Sequence, residues 1–340
     1  MSAAEKKIRV LIVDDSALMR EALKSIIEKD PAIEVVGLAK NGKEGVEKAL
    51  LLKPDVITMD LKMPMMSGLE ATEAIMEELP IPIIVVSSMD ITVIVKALSI
   101  GAMDFVAVTS DIETIAADLI TKIKIASHVK PLRRMKIKAC VVKAPKELRG
   151  KEASKVVAIG VSTGGPQALQ QVLAKLPPAF PCGILIVQHM SKGFIDGLAE
   201  WLNTTSCLHV DVAKAGDILK KGMILLAPDD LHMRIGGDGR ITLSENTSKA
   251  IVHVPSIDVM MKSVADYYQE NAIGVIMTGM GQDGVDGIRA IRKAGGRTIA
   301  QDEKTSVVFG MNKMAIDIGL IDKVVALERV AEEITNMVSE

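Results

Sequence analysis

The segment Gly160-Val161-Ser162-Thr163-Gly164-Gly165-Pro166 follows the apolar run KVVAIG and leads into a helix-period stretch. Glycines around a serine permit a tight turn that exposes the hydroxyl, and a helix start presents backbone N–H groups to developing negative charge. Serine needs a base to attack at neutral pH. Of the five histidines, His128 falls in a basic stretch and His209, His232 and His253 in a mixed region, and these four are read as structural. His189 alone directly follows a parallel-type strand, ILIVQ, and is taken as the base. An orienting acid from a third strand end is offered by AIGVIMTGMGQDGVDG, where Asp283 is favoured and Asp286, three residues on, is the alternative. The order Ser, His, Asp differs from the common protease orders, but geometry defines such a triad.

A second constellation is acidic. Asp14 and Asp15 close the first strand-like run, and Asp60 closes the third, in ITMDLKMP. In an open parallel sheet, side chains at the carboxyl ends of strands face the ligand crevice, so these three can converge. Close carboxylates repel, and a hard divalent cation such as Mg²⁺ would neutralise them. It would also screen an incoming phosphoryl group, so that one carboxylate could accept it. Ser87 closes the fourth strand with a hydroxyl for a phosphoryl oxygen. A third pattern, Gly279-Met280-Gly281-Gln282-Asp283-Gly284, matches G-x-G-x-x-G, but Asp283 puts a carboxylate where a pyrophosphate needs N–H groups, which disfavours nucleotide binding.

The elements that must carry these residues alternate. IRVLIV, EVVGL, PDVITM, IPIIVV and DFVAV read as strands, and 16–29, 42–52, 67–78, 90–100 and 111–125 as helices. Strands separated by helices imply a doubly wound parallel sheet, because parallel neighbours need a crossover. From Lys155 the alternation resumes: KVVAIG, GILIVQ, AIGVIMT and RTIAQ are strand-like, and PQALQQVLAKL, SIDVMMKSVADYY, DGVDGIRAIRKA and LERVAEEITNMV helix-like. Residues 208–245 show short alternating segments with Gly-Gly-Asp-Gly at 236–239, a hairpin signal. The fold class is thus α/β, with two doubly wound parallel-sheet domains over 1–125 and 154–340, the second carrying a β-hairpin.

Between them, residues 127–153 hold nine Lys and Arg against two Glu, which gives a basic linker over 126–153. The whole chain, with 41 Lys+Arg and 43 Asp+Glu, has a net charge of −2, so no large field marks it as a nucleic-acid binder. Only 2% of its residues are aromatic, which leaves few platforms for stacked bases. Cys140, Cys182 and Cys207 match neither a zinc pattern nor a disulfide framework and are read as reduced thiols. The start of the chain runs straight into a strand, and no stretch of 18 apolar residues occurs, so a cytoplasmic protein with no membrane insertion is expected.

VLIVDDSALMR, ITMDLKMPMMSGLEA and IIVVSS resemble the receiver domain of two-component response regulators, over essentially all of residues 6–125. That resemblance implies Asp60 as phospho-acceptor, Asp14 and Asp15 as Mg²⁺ holders together with Asp60, and Ser87 as the switch hydroxyl. One position departs from it. The family normally has Lys then Pro after the fifth strand, whereas Val108 and Thr109 stand here, and Val cannot neutralise an acyl phosphate. Weak coupling of phosphorylation to the rest of the chain is the expectation.

AIGVSTGGPQAL, VQHM, PSIDV, GVIMTGMGQDGVDGI and AGGRTIAQDEKTSVVFGM resemble the catalytic domain of the CheB chemotaxis receptor methylesterases. By position the resemblance implies Ser162 as nucleophile, His189 as base, Asp283 as orienting acid, and Thr163 with the Met280 backbone at the oxyanion hole. It implies hydrolysis of glutamate γ-methyl esters on methyl-accepting chemotaxis receptors, glutamine deamidation as a further activity, a chemotaxis histidine kinase as phosphodonor, and no cofactor for the hydrolysis itself. The family often has Arg before the PSVDV motif. Val254 stands there in this chain.

Overall fold

The computed structural model describes residues 6–88, 91–108, 115–129, 152–248 and 251–340, and the chain divides into two compact units, Met1–Lys136 and Ile137–Glu340. That division falls inside the expected basic linker, most of which, with Cys140, lies outside the described residues. Each unit is described by itself.

The first unit alternates β1 (Ile8–Val13), α1 (Ala17–Ile27), β2 (Ile33–Ala39), α2 (Gly42–Leu52), β3 (Val56–Met59), α3 (Gly68–Glu78), β4 (Ile83–Ser87), α4 (Ile91–Ile100), β5 (Asp104–Ala107) and α5 (Ala116–Ala126). The strands form one five-stranded sheet in the order β2-β1-β3-β4-β5, every pair parallel. Central strands covered on both faces must be apolar throughout, and Val10 to Val13 and Val56 to Met59 are buried without a break. The helices start where side chains can satisfy orphan N–H groups: Ser16 caps α1, Asn41 caps α2, and Ser67 with Glu70 forms a reciprocal box at α3. Expected and observed elements agree to within a few residues. The helix expected from 111 is described from Ala116, its first positions and Thr109 lying outside the described residues.

The second unit contains β6 (Val156–Val161), α6 (Gly165–Leu173), β7 (Gly183–Gln188), α7 (Ile195–Thr205), β8 (His209–Val212), β9 (Met223–Leu226), β10 (His232–Ile235), β11 (Ile241–Ser244), α8 (Ile257–Tyr268), β12 (Ala272–Ile276), α9 (Val285–Lys293), β13 (Arg297–Gln301), α10 (Met311–Asp317), β14 (Lys323–Val325) and α11 (Leu327–Ser339). Seven strands form a parallel sheet in the order β14-β13-β12-β6-β7-β9-β8, with β6 at its centre. Because strand side chains alternate between faces, Val157, Ile159 and Val161 join the core beneath α6, α7 and α11, while Val156 and Ala158 join the core beneath α8 and α9.

The region 208–245 differs from its reading as loose alternating segments. The hairpin is there, as β10 and β11, but β8 and β9 add to the parallel sheet. Strands of four residues are too short for periodicity to reveal their partners. Helix α7 was also absent from the expected elements, although Ile195, Leu198, Ala199 and Leu202 are buried at helical spacing; its start has no capping side chain to announce it. The cysteine reading needs one correction. Cys182 is a buried free thiol, raised to about 11 by burial, but Cys207 is disulfide-bonded, because pairing depends on proximity in the fold and not on spacing.

Candidate active site

Ser162 and His189 are the residues that follow β6 and β7, whose register pairs Val161 with Gln188. The His189 N–H donates to the Val161 carbonyl at 3.0 Å, and the Ser162 N–H donates to the Thr278 carbonyl beyond β12, also at 3.0 Å. Ser162 therefore follows the strand that lies between the one that brings His189 and the one that leads to Asp283. Gly164 adopts a φ of 76°, which favours glycine, and turns the chain into α6. At Gly165 a Cβ would stand 2.0 Å from Gln188 Oε1. That close approach serves the site, since Gln188 Nε2 donates to both the Ser162 and His189 carbonyls at 2.8 Å.

His189 Nε2 lies 2.9 Å from Asp283 Oδ2, and both side chains are about nine-tenths buried. Asp283 also accepts from Ser256 Oγ at 2.8 Å, Ile257 N at 2.8 Å and Asp258 N at 3.0 Å, which places it on the N-terminus of α8. Burial pushes its carboxyl up, but the bonds from His189, Asp258 and Ile257 outweigh that and hold it down at about 2. With Nε2–H donated to Asp283, the His189 Nδ1 lone pair remains; among the described residues this buried atom has no partner. Nδ1 is thus the basic nitrogen left for a hydroxyl. Asp286, the alternative acid, is half exposed in α9 and pairs with Arg289 and with Lys262, away from His189.

Among the described residues the backbone N–H groups of Thr163 and Met280 carry no hydrogen bond. Their loops are held: Thr278 Oγ1 donates to the Thr163 carbonyl at 2.9 Å, Gly279 N to Val308 O at 3.0 Å and Met311 N to Gly279 O at 3.1 Å. In the glycine fingerprint at 279–284 the Gly284 N–H is already given to Asp258 Oδ1 at 2.9 Å and is not left for a pyrophosphate. A cavity of about 690 Å³ opens beside Asp283, walled by Val252, His253, Lys262, Arg289, Met314 and Ile318.

Sequence reasoning passed over two histidines here. The His253 ring stacks on His189 with centroids 4.4 Å apart and planes at 17°, and burial together with His189 lowers its basicity. His232, buried in β10, accepts from the Ser256 N–H at 3.2 Å. The available signal was Ser256, a capping residue type at the start of the helix that seats Asp283.

The acidic residues of the first unit behave differently. Ser87 Oγ donates to Asp60 Oδ1 at 2.7 Å. Burial raises the Asp60 carboxyl, with Asp15 adding to the effect, and burial together with Asp60 and Asp15 raises Asp14 to about 6. Such mutually repelling hard oxygens suit a divalent cation. Yet among the described residues no three His, Cys, Asp or Glu side chains form a metal cage. The three expected carboxylates do share one edge, since Asp60 and Asp15 both act on Asp14 and Asp15 acts on Asp60, and Asp14 Oδ1 accepts from the Ser16 N–H at 2.8 Å. Beyond β5, Val108 donates its N–H to Ser87 O at 3.1 Å and presents only hydrocarbon. Lys122 does not replace the missing cation, for it is tied at the opening of β5 to Asp104, Asp118 and the Phe105 carbonyl.

An acid-edged five-stranded sheet and a hydrolase-like seven-stranded sheet in one chain make a response regulator with a serine-hydrolase type of output unit. The comparisons with known proteins narrow that class. The family model for the response regulator receiver domain matches residues 10–120, and that for CheB methylesterase matches residues 157–334. A protein-glutamate methylesterase/protein-glutamine glutaminase of Pyrococcus abyssi is 42% identical over 99% of this chain and 95% of its own length, and one of Symbiobacterium thermophilum is 39% identical over 99% and 98%. Among solved structures, the CheB methylesterase catalytic domain of Thermotoga maritima matches with a TM-score of 0.52 and 37% identity, covering 54% of this chain and 98% of that one. The chain belongs to the CheB family of protein-glutamate methylesterase/protein-glutamine glutaminases. No helix among the described residues is long and apolar enough to cross a membrane.

Proposed function

We propose that this chain hydrolyses glutamate γ-methyl esters on methyl-accepting chemotaxis receptors, with Ser162, His189 and Asp283 as its catalytic residues. Ser162 Oγ attacks the ester carbonyl while His189 Nδ1 takes the hydroxyl proton. The imidazolium, held by Asp283, returns that proton to the departing methoxide, and methanol leaves. Water then attacks the acyl-enzyme by the same route and frees the glutamate carboxylate. The unpaired N–H groups of Thr163 and Met280 would receive the oxyanion, a contribution of roughly 3 to 4 kcal/mol per donor. Glutamine deamidation uses the same groups on a harder leaving group, ammonia. The observation that carries this reading is the buried His189–Asp283 pair, which leaves Nδ1 as the one free lone pair of the imidazole.

The receiver unit supplies regulation. Asp60 would accept a phosphoryl group from a chemotaxis histidine kinase, with Ser87 on a phosphoryl oxygen. Mg²⁺, held by Asp14, Asp15 and Asp60, would screen the charge of the incoming group. The substrate is a cytoplasmic segment of a receptor, which places the protein's work in the cytoplasm; neither nucleic acid nor membrane insertion enters it. Mass-spectrometric detection of demethylated receptor peptides, with wild type and Ser162→Ala side by side, tests the proposal. Demethylation by wild type alone is expected, and demethylation by Ser162→Ala removes Ser162 from the role.

A further inference from the structure

We propose that Asp258 is a positioning residue for the catalytic acid: Asp258 and Asp283 each cap the helix that begins at the other, and this exchange fixes the Asp283 carboxylate against His189. The inference rests on the reading of Ser162, His189 and Asp283 given above.

Helix α9 starts at Gly284, which has no side chain to serve its first N–H groups, and the φ of 103° there favours glycine over a capping residue. The missing acceptor comes from the neighbouring helix. A single oxygen, Asp258 Oδ1, accepts from Gly284 N at 2.9 Å and from Gly287 N at 2.6 Å. In return Asp283, the residue just before α9, accepts the Ile257 and Asp258 N–H groups that open α8. The helices can make this exchange because they pack closely: a Cβ on Gly287 would stand 2.5 Å from Met261 Cβ. Two partly buried carboxylates so close repel, and each is held because it sits at the positive end of a helix. His189, His232 and His253 are the histidines around Asp283, and Lys262 of the same helix is the cation around Asp258.

Asp283 needs such support. It lies beyond β12 in a loop containing Gly279, Gly281 and Gly284, so no strand partner fixes it. The bond from Gly284 N to Asp258 is made by the very next residue, and it sets where the Asp283 Cα stands. An acid displaced by even one ångström no longer aims the imidazole.

The rate at which a serine-directed fluorophosphonate labels the full chain, measured well below the melting temperature, reads the aim of the base without needing a receptor. Asp258→Ala should label roughly 10- to 100-fold more slowly. Asp258→Asn keeps the oxygen in place and should return the rate to within about threefold of wild type, a rescue that one acceptor atom suffices to explain. If Asp258→Ala does not fold, Asp258→Glu makes the same test, since it keeps the charge but displaces the oxygen and should also be slow. A folded Asp258→Ala that labels as fast as wild type, or an Asp258→Asn as slow as Asp258→Ala, overturns the inference. Ser162→Ala separates it from the reading beneath: labelling that persists there overturns the catalytic assignment, whereas labelling lost there but unaffected in the Asp258 variants overturns this inference alone.

Discussion

Both units gather carboxylates at the carboxyl ends of parallel strands, and the two gatherings are in opposite states. In the second unit four donors surround Asp283 and hold its carboxyl at about 2. In the first, burial and mutual repulsion lift Asp14 to about 6, and Asp60 is raised as well. The difference lies in where the compensating positive charge comes from. The hydrolase unit builds the compensation into the chain, through the His189 N–H, the Ser256 hydroxyl and the partial positive charge of a helix start. In the receiver the bonds from Ser16 N and Ser87 Oγ offset burial and repulsion only in part, so Asp14 and Asp60 keep raised values. A fully compensated acid and a partly compensated one thus occupy the same strand-end position.

The sharpest way to break this contrast is Asp283→Asn. Exchanging the charge for an amide should slow fluorophosphonate labelling of Ser162 by roughly 10³- to 10⁴-fold, as loss of the orienting acid does in other triads; a loss below tenfold would mean that the donors hold His189 without the charge. Next comes opposite pH behaviour. The folded value of Asp283 is below its ordinary 3.8, so it contributes about 2 kcal/mol of stability that is complete above about pH 4 and is lost as pH falls through 2. Asp14 is raised to about 6, so its charged form destabilises the receiver above that pH, and the penalty is relieved on acidification toward 4. Asp14→Asn should therefore stabilise the receiver at pH 7 by about 2 kcal/mol, a gain that fades toward pH 4 in urea titrations; a constant gain at both pH values would locate its origin elsewhere.

Val108→Lys would supply the receiver with a fixed cation and make it more like the hydrolase unit. Binding of beryllofluoride, a phosphoryl mimic, should tighten about tenfold, the worth of one charge-assisted hydrogen bond. An unchanged affinity would show that Val108 is not where the charge is missing. The smallest effect belongs to Ser87→Ala, which removes the hydroxyl now on Asp60 and should cost about 1 kcal/mol at pH 7 in the same titrations. No loss there would mean water replaces the hydroxyl at no cost.

Much of this was readable beforehand, and the reasons are physical. Ser162, His189 and Asp283 each follow an apolar run, and strand ends of a parallel sheet share one edge, so a common edge could be inferred without the strand order; the structure pairs His189 with Asp283, while among the described residues no hydrogen bond joins Ser162 Oγ to His189 Nδ1. The parts that escaped depend on contacts between elements distant in sequence. Nothing local to Asp258 says that its carboxyl serves α9, and nothing local to His253 says that its ring lies on His189. The acidic site was legible in part: strand ends bring Asp14, Asp15 and Asp60 to one edge, where Asp60 and Asp15 act on Asp14, but sequence does not record that among the described residues these side chains form no ready metal cage. Strands β8 and β9 escaped because four residues carry too little pattern to choose between a hairpin and a parallel edge.

The placement of β6 has a consequence for how the chain is made. Its neighbours are β7, which follows shortly, and β12, whose residues come more than a hundred positions later. Ser162 is thus synthesised long before the Thr278 carbonyl that fixes it, and before Asp283. Such distant parallel pairing is slow to form. Until β12 and the loop behind it are made, neither the Thr278 carbonyl that holds Ser162 N nor the Asp283 carboxylate that holds His189 is present.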